Sequence, residues 1–233
     1  MCLITFAWRD EEQHLQLYGN RDEFYARPTQ PADFWENGQC WGGRDLQAGG
    51  SWLALRSGPR MAALTNIRDP ERPTGTRSRG ELVADFVTGS LSAQDYARQI
   101  QSEQYGGFNL LLLDDTGLYY IASHRELRRL PSGLYGLSND ALNTPWPKVR
   151  AVVAAWPNNR VQQAMLDPSR YPDEALPNTG VSMEWERRLS AAFIESPDYG
   201  TRALSYVELK QGKWRARETS FGPLTGVRSV QDL

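Results

Sequence analysis

Apolar residues crowd positions 2–8 and 13–19, and the charged run Arg9-Asp10-Glu11-Glu12 separates them, a pattern that predicts a β-hairpin. Short strands are expected near 39–43, 51–56 and 60–66, punctuated by Gly42-Gly43, Gly49-Gly50 and Ser57-Gly58-Pro59. Residues 68–79 hold no apolar side chain and two prolines, so they read as a loop. Ser78-Arg79-Gly80-Glu81 then has capping-box spacing ahead of Leu82, Val83, Phe86 and Val87, and a second helix is expected over 92–104, opened by Ser92 with Asp95 three residues on. Strands resume at 107–114 and 117–123 about Asp114-Asp115-Thr116-Gly117, with another pair at 126–130 and 133–138. Thr144-Pro145 opens a helix that puts Val149, Val152, Val153 and Trp156 on one face. The polar, proline-rich stretch 157–182 leaves its elements open. A helix is expected from 183 to 195, and a closing hairpin at 201–209 and 213–220 turns at Gln211-Gly212.

The order is strands, two helices, strands, helices, strands. It suits an α+β fold: a four-layer αββα sandwich of two antiparallel sheets with helices outside, one domain over 1–233. The chain has 233 residues, 40% hydrophobic and 23% charged, enough for a sizeable core. A net charge of −2 excludes a generic nucleic-acid binder, which carries a basic excess. The start MCLITFAWRDEE lacks a signal-peptide pattern and the apolar runs are far short of a transmembrane segment, so a cytoplasmic protein is expected. The cations are lopsided: Lys148, Lys210 and Lys213 are the lysines, and the other basic residues are arginines, which suit bidentate recognition of carboxylates and phosphates. Eight tryptophans can line a pocket for a flat apolar ligand or fill the core.

Cys2 carries the most chemical information. Removal of Met1 leaves a thiol and an α-amine on one residue, and an α-amine with a pKa near 8 can take the thiol proton at neutral pH. The alternative is a small apolar residue heading a strand. Asn20-Arg21-Asp22-Glu23 ends the second strand, and in an antiparallel hairpin that end lies beside Cys2. There it can hold the amine and orient a substrate, or it can be a solvated turn. Asn66 and Asn139 close strands, and an amide N–H from either suits an oxyanion. Arg202, after Gly200-Thr201, can bind an anion or pair with Asp22. Arg68, Arg72, Arg77 and Arg79 can form an anion patch, partly neutralised by Asp69 and Glu71. Metal-ligand spacing is missing; ligands to a haem iron would have to come from His14, His124, Cys2, Cys40, a Met or a Tyr.

MCLITFAW, Gly19-Asn20-Arg21-Asp22-Glu23-Phe24-Tyr25-Ala26-Arg27-Pro28-Thr29, Gly42-Gly43-Arg44-Asp45-Leu46, Gly49-Gly50-Ser51-Trp52 and Ala63-Leu64-Thr65-Asn66 resemble the NRDE family, whose eukaryotic members are called transport and Golgi organisation protein 2. Gly107-Phe108-Asn109-Leu110, Gly136-Leu137-Ser138-Asn139, Pro145-Trp146-Pro147-Lys148 and Gly200-Thr201-Arg202 extend the resemblance over nearly the whole chain. That family is in turn similar to N-terminal-nucleophile hydrolases of the choloylglycine hydrolase and penicillin V acylase type. The similarity implies the αββα fold and a catalytic set matched in kind by Cys2, Arg21, Asp22 and Asn139. Arg21 and Asp22 are adjacent here, whereas those hydrolases place two residues between them, and the segment from Asn139 to Pro145 is longer. The family resemblance also implies a haem-trafficking protein that binds and hands on haem, with Cys2, Arg21, Asp22, Glu23, His14 and His124 as candidate contacts. It further implies a part in lipid or acyl-coenzyme A homeostasis. The expected partner is a small amphipathic molecule, haem or acyl-coenzyme A.

Overall fold

A computed structural model describes residues 2–36, 38–71, 74–123, 125–222, 226–231 and 233. In chain order the elements are β1 (Cys2–Arg9), β2 (His14–Phe24), β3 (Thr29–Phe34), β4 (Cys40–Asp45), β5 (Leu53–Arg56), β6 (Arg60–Asn66), α1 (Arg79–Thr88), α2 (Ala93–Gln99), β7 (Phe108–Asp114), β8 (Gly117–Ala122), β9 (Arg125–Arg129), β10 (Gly133–Leu137), α3 (Pro147–Ala154), α4 (Val161–Met165), α5 (Met183–Ser190), β11 (Tyr199–Lys210), β12 (Lys213–Ser220) and β13 (Gly226–Gln231). They build two antiparallel sheets, one ordered β10-β1-β2-β11-β12-β13 and the other β3-β4-β5-β6-β7-β8-β9.

Strand alternation sorts side chains into layers. Ile4, Phe6 and Trp8 of β1 and Leu15 and Leu17 of β2 face the second sheet, meeting Leu55, Met61, Leu111 and Leu113 in the core. Leu3 faces the opposite way and packs under Val149, Val152, Val161 and Met165 of α3 and α4. Leu82, Val83, Phe86 and Val87 of α1 cover Cys40, Ala54 and Ala62 on the outside of the second sheet. Each such side chain contributes about 1.5–3 kcal/mol by leaving water. The result is the expected αββα sandwich. The close seat of α3 depends on Gly136, where a Cβ would lie 2.6 Å from Val149 Cγ1.

Several local expectations need correcting. β2 runs to Phe24, so the Asn20–Glu23 tetrad is strand rather than turn. Two edge strands, β3 and β13, escape the sequence pattern; β3 carries Pro31, which suits an edge. Helix 92–104 is two pieces, since α2 ends at Gln99 and a single 3₁₀ turn spans Ser102–Gln104. The helix opening near Thr144 begins at Pro147, and α5 stops at Ser190, not 195, where Ala191 turns extended. Ser92 caps α2 by accepting from the Asp95 N–H at 3.1 Å. Ser78 makes no side-chain cap bond, because the Glu81 N–H donates to the Ser78 carbonyl at 3.1 Å; the Glu81 carboxylate is engaged by the Tyr105 hydroxyl at 2.8 Å and by Arg77. Among the described residues no helix is long and apolar enough to cross a membrane.

Candidate functional site

The hairpin register pairs Cys2 with Arg21 and Leu3 with Asn20, which seats the tetrad beside the head of β1. Cys2 is 8% exposed and borders a cavity of about 240 Å³. Arg21, Asp22 and Glu23 of β2 border it too, with Asn66 at the end of β6 and Arg79 at the start of α1. The walls therefore come from both sheets and one outer helix.

Arg21 is 5% exposed, stacks 4.4 Å from the Trp52 ring centroid, and its nearest carboxylate, on Glu23, lies 3.9 Å away. Its Nη1 is buried with no hydrogen-bond partner, an expensive state for a guanidinium unless a ligand completes it. Asp22 is buried; its Oδ1 accepts from Thr201 Oγ1 at 2.7 Å, and the same hydroxyl accepts from the Ile194 N–H at 2.9 Å. Burial pushes the Asp22 carboxyl up, opposed by the charges of Lys148 and Arg21. Burial also pushes the Cys2 thiol up, so a thiolate is not preformed and attack needs a base.

The remaining expected residues divide. Asn66 reaches the cavity. Asn139 stands behind it: its Nδ2 donates to the Asn66 carbonyl at 2.8 Å and its own carbonyl accepts from Arg68 N–H at 2.7 Å. It braces the strand end that presents Asn66. Asn20 points the other way, its Nδ2 donating to the Met165 and Ala192 carbonyls at 2.7 and 2.8 Å, so it ties β2 to the helical layer. Arg202 is the extra residue where the β2–β11 register shifts between Thr201 and Ala203. Its Nη1 donates to the Phe24 and Arg27 carbonyls at 3.1 and 2.6 Å, so it fastens the turn after β2 and lies outside the Cys2 cavity. Arg77 and Arg79 border the cavity, with Arg77 paired to Glu81 and Arg79 donating to the Gly107 carbonyl at 3.2 Å. Arg68 lies elsewhere, in a buried ion pair with Glu186 at 2.7 Å.

His14 does not join Cys2. It pairs with Arg9 at the opposite end of the hairpin, seven residues along β1, or roughly 23 Å at strand rise. There it faces Glu208, with Nε2 3.2 Å from Oε1. His124, Arg72 and Met1 fall outside the described residues. Among the described residues no three His, Cys, Asp or Glu side chains are grouped to hold a metal.

One member of the neighbourhood was missed in the sequence. Lys148, second residue of α3, is 3% exposed and donates from Nζ to the Leu189 carbonyl at 2.8 Å. Burial pulls its pKa down to about 8, against the opposing pull of Asp22. The available signal was its rarity: a chain with three lysines keeps one directly after Pro145-Trp146-Pro147, next to the apolar face of a helix.

The family profile described as Transport and Golgi organisation 2 matches residues 1–221. The Transport and Golgi organization protein 2 homolog of Bos taurus is 34% identical over 244 residues, covering 89% of this chain and 88% of that one. The Homo sapiens homolog is 33% identical over 237 residues, covering 87% and 86%. The Drosophila melanogaster Transport and Golgi organization protein 2 is 29% identical, covering 89% and 87%. Among solved structures, a Caenorhabditis elegans ortholog of N-acylethanolamine-hydrolyzing acid amidase aligns with a TM-score of 0.48 at 12% identity, over 70% of this chain and 83% of that one. The C2A mutant of conjugated bile acid hydrolase from Clostridium perfringens aligns at 0.47 and 9%, over 98% and 92%. By its profile match and its relatives, the chain belongs to the Transport and Golgi organisation 2 family.

Proposed function

We propose that the protein is an acyl-transfer hydrolase that uses Cys2 as its nucleophile after loss of Met1, acting on an amide or thioester. The carrying observation is the position of Cys2: the second residue of the chain borders a cavity that also holds Arg21, Asp22 and Asn66. In this reading the α-amine of residue 2 takes the thiol proton, and the sulfur bonds to the acyl carbon. The C–N or C–S bond of the substrate then breaks, and the leaving amine or thiol departs with that proton. Asn66 donates its amide N–H to the oxyanion, and Asp22 holds the amine. Water then cleaves the S-acyl bond, releasing the carboxylic acid and restoring the thiol. Cys2 and Cys40 form no disulfide, which goes with work in a reducing compartment such as the cytoplasm.

The test uses p-nitrophenyl acetate as an activated acyl probe. Intact mass of the purified chain should show Met1 gone. The probe should then give a burst of p-nitrophenol and an acetyl group on Cys2, and Cys2→Ala should abolish both. Met1 retained in protein that still turns the probe over would overturn the reading.

A second reading, in which the site binds an amphipathic acyl-coenzyme A without cleaving it, is favoured by the unpartnered Arg21 Nη1, which suits a phosphate or carboxylate oxygen. Binding that survives both Arg21→Ala and Arg77→Ala would remove it. The third expectation, haem carried as cargo, rests on the family resemblance. The cavity fits it poorly: its charged lining includes four arginines and three carboxylates, and His14 lies at the other end of the hairpin from Cys2.

A further inference from the structure

Beneath the Cys2 cavity lies a second set of buried charges. α3 begins at Pro147, and its Val149 packs against Leu3, one residue from Cys2, and against Gly136. Lys148 therefore enters the layer under the heads of β1 and β2. Asp22 alternates with Arg21 on β2 and shares the outward face of Asn20, whose amide is tied to the Met165 and Ala192 carbonyls of that layer. The Nζ of Lys148 is anchored at 2.8 Å on the carbonyl of Leu189, three residues before Ala192. Lys148 and Asp22, 3% and 1% exposed, thus both lie buried on the helical side of the first sheet. Each is the largest opposite-charge influence on the other.

The choice of cation has a chemical meaning. This chain uses arginine almost everywhere, and its other two lysines, Lys210 and Lys213, flank the turn between β11 and β12. The buried Arg60 shows what a purely structural cation looks like here: Nε and Nη2 donate to the Phe86 and Leu91 carbonyls at 2.7 and 2.6 Å, and the guanidinium lies 3.8 Å from the Phe86 ring centroid. A buried lysine differs in that it gains and loses its proton within a working pH range. The other charged or titratable groups acting on Cys2, Asp22 and Lys148 include Arg21 and Glu23 on β2, Tyr25 just after it, Arg79 on α1, Tyr199 on β11, and the Arg68–Glu186 pair. Among them Arg68 is already neutralised by Glu186 at 2.7 Å, and Arg21 and Arg79 face the cavity.

We propose that Lys148 is a positioning residue for the Cys2 site, its buried ammonium keeping the Asp22 carboxylate ionised from beneath so that Asp22 can hold the amine of residue 2. This rests on the reading of Cys2 as nucleophile. Lys148 does not touch the substrate; it sets the charge on the residue that does the holding. Removing it lets Asp22 take a proton more readily, so that Asp22 is ionised to hold the amine only at higher pH.

The lysine titration tests the pairing without any substrate. With ¹³C-labelled lysine, three side-chain signals report Lys148, Lys210 and Lys213 in the intact protein. Lys148 should titrate near pH 8, below the ordinary lysine value of 10.5, and Asp22→Asn should lower its midpoint by about one unit, because a nearby carboxylate supports the ammonium. A Lys148 midpoint at the ordinary 10.5 in the wild type, or one that Asp22→Asn leaves in place, would overturn the proposal. The p-nitrophenol burst gives the functional arm. Lys148→Gln keeps a donor for the Leu189 carbonyl and removes the charge. It should move the acid limb of the acylation profile up by about one pH unit, with Lys148→Arg restoring it. An unmoved limb in folded Lys148→Gln overturns the positioning role. Failure of the Cys2 reading would show differently, as a burst that persists in Cys2→Ala, while the lysine titration would still report on the pairing.

Discussion

The two ends of the β1–β2 hairpin are built from the same pair of strands and do opposite things. At the closed end, Phe6, Trp8, Leu15 and Leu17 are almost fully buried among apolar neighbours, and Thr5 on the outer face satisfies its hydroxyl on the Tyr135 carbonyl at 2.9 Å. At the open end, Cys2, Arg21 and Asp22 are just as buried but charged or titratable, and Arg21 Nη1 and Asn20 Oδ1 have no hydrogen-bond partner. Burial at the first end stabilises the fold by removing hydrocarbon from water. Burial at the second end costs free energy for each ion it desolvates, and a fold retains such a cluster when the charges serve another purpose.

The largest expected effect belongs to the apolar end. Phe6→Ala removes a fully buried ring that stacks on Tyr135 at 4.9 Å, and it should lower the unfolding free energy by about 3–5 kcal/mol in urea denaturation. The acylation chemistry of whatever protein remains folded should be unchanged. A loss under about 1 kcal/mol would mean the closed end is not the anchor of the hairpin.

Next comes the pH dependence carried by Lys148. Its folded pKa, about 8, is below the ordinary 10.5, so between those values the unfolded chain binds more protons than the folded one. Stability contributed at this site therefore rises as pH increases from 8 to 10.5. Compared with Lys148→Met, the wild type should gain up to roughly 3 kcal/mol across that interval. A difference that stays flat with pH would show the ammonium to be already well compensated, and the contrast between the two ends would shrink.

Much of this contrast was legible beforehand, and the reasons for what was not are physical. The apolar run at 2–8 marked β1 as a buried strand, but it left the faces open, since Leu3 and Ala7 are as apolar as Ile4, Phe6 and Trp8. The hairpin turn alone put Asn20–Glu23 beside Cys2, since antiparallel pairing fixes which ends meet. What alternation did not settle was which side each tetrad member takes once β2 continues through Asp22: Arg21 goes to the cavity and Asn20 to the helices. Arg202 reads from the sequence as an anion binder or a partner of Asp22, but the bulge at Thr201–Ala203 re-aims it onto backbone carbonyls, and no local pattern marks a bulge set by a strand far away in sequence. Lys148 comes from a helix 146 positions from Cys2, so its place under Asp22 is purely tertiary.

Thr201→Val separates the two costs at the open end. The hydroxyl donates to Asp22 at 2.7 Å and accepts from Ile194 N–H, so its loss leaves an orphaned amide and a carboxylate with one donor fewer. About 1–3 kcal/mol of stability should go. The Asp22 pKa should rise further, moving the acid limb of acylation upward in the same direction as Lys148→Gln. Destabilisation with an unmoved limb would place Thr201 in the structural frame only.

Arg21→Met offers the smallest stability change and the sharpest break of the comparison, because the expected sign is reversed. Methionine keeps the stem and a polarisable contact with Trp52, and it removes a guanidinium that is 5% exposed, 3.9 Å from its nearest carboxylate and unpartnered at Nη1. Replacing an imperfectly satisfied buried ion with an apolar side chain of similar length is often neutral or stabilising, here by up to about 1 kcal/mol. The reacting site should suffer at the same time, losing acylation by p-nitrophenyl acetate, because the Arg21 charge that pulls the Cys2 thiol pKa down is gone. A thermal or urea midpoint that rises while the burst collapses is the behaviour of a residue kept for chemistry. If Arg21→Met instead costs more than about 2 kcal/mol, Arg21 is bound as well as Arg60 is, and the open end is held by the same kind of structural satisfaction as the rest of the fold.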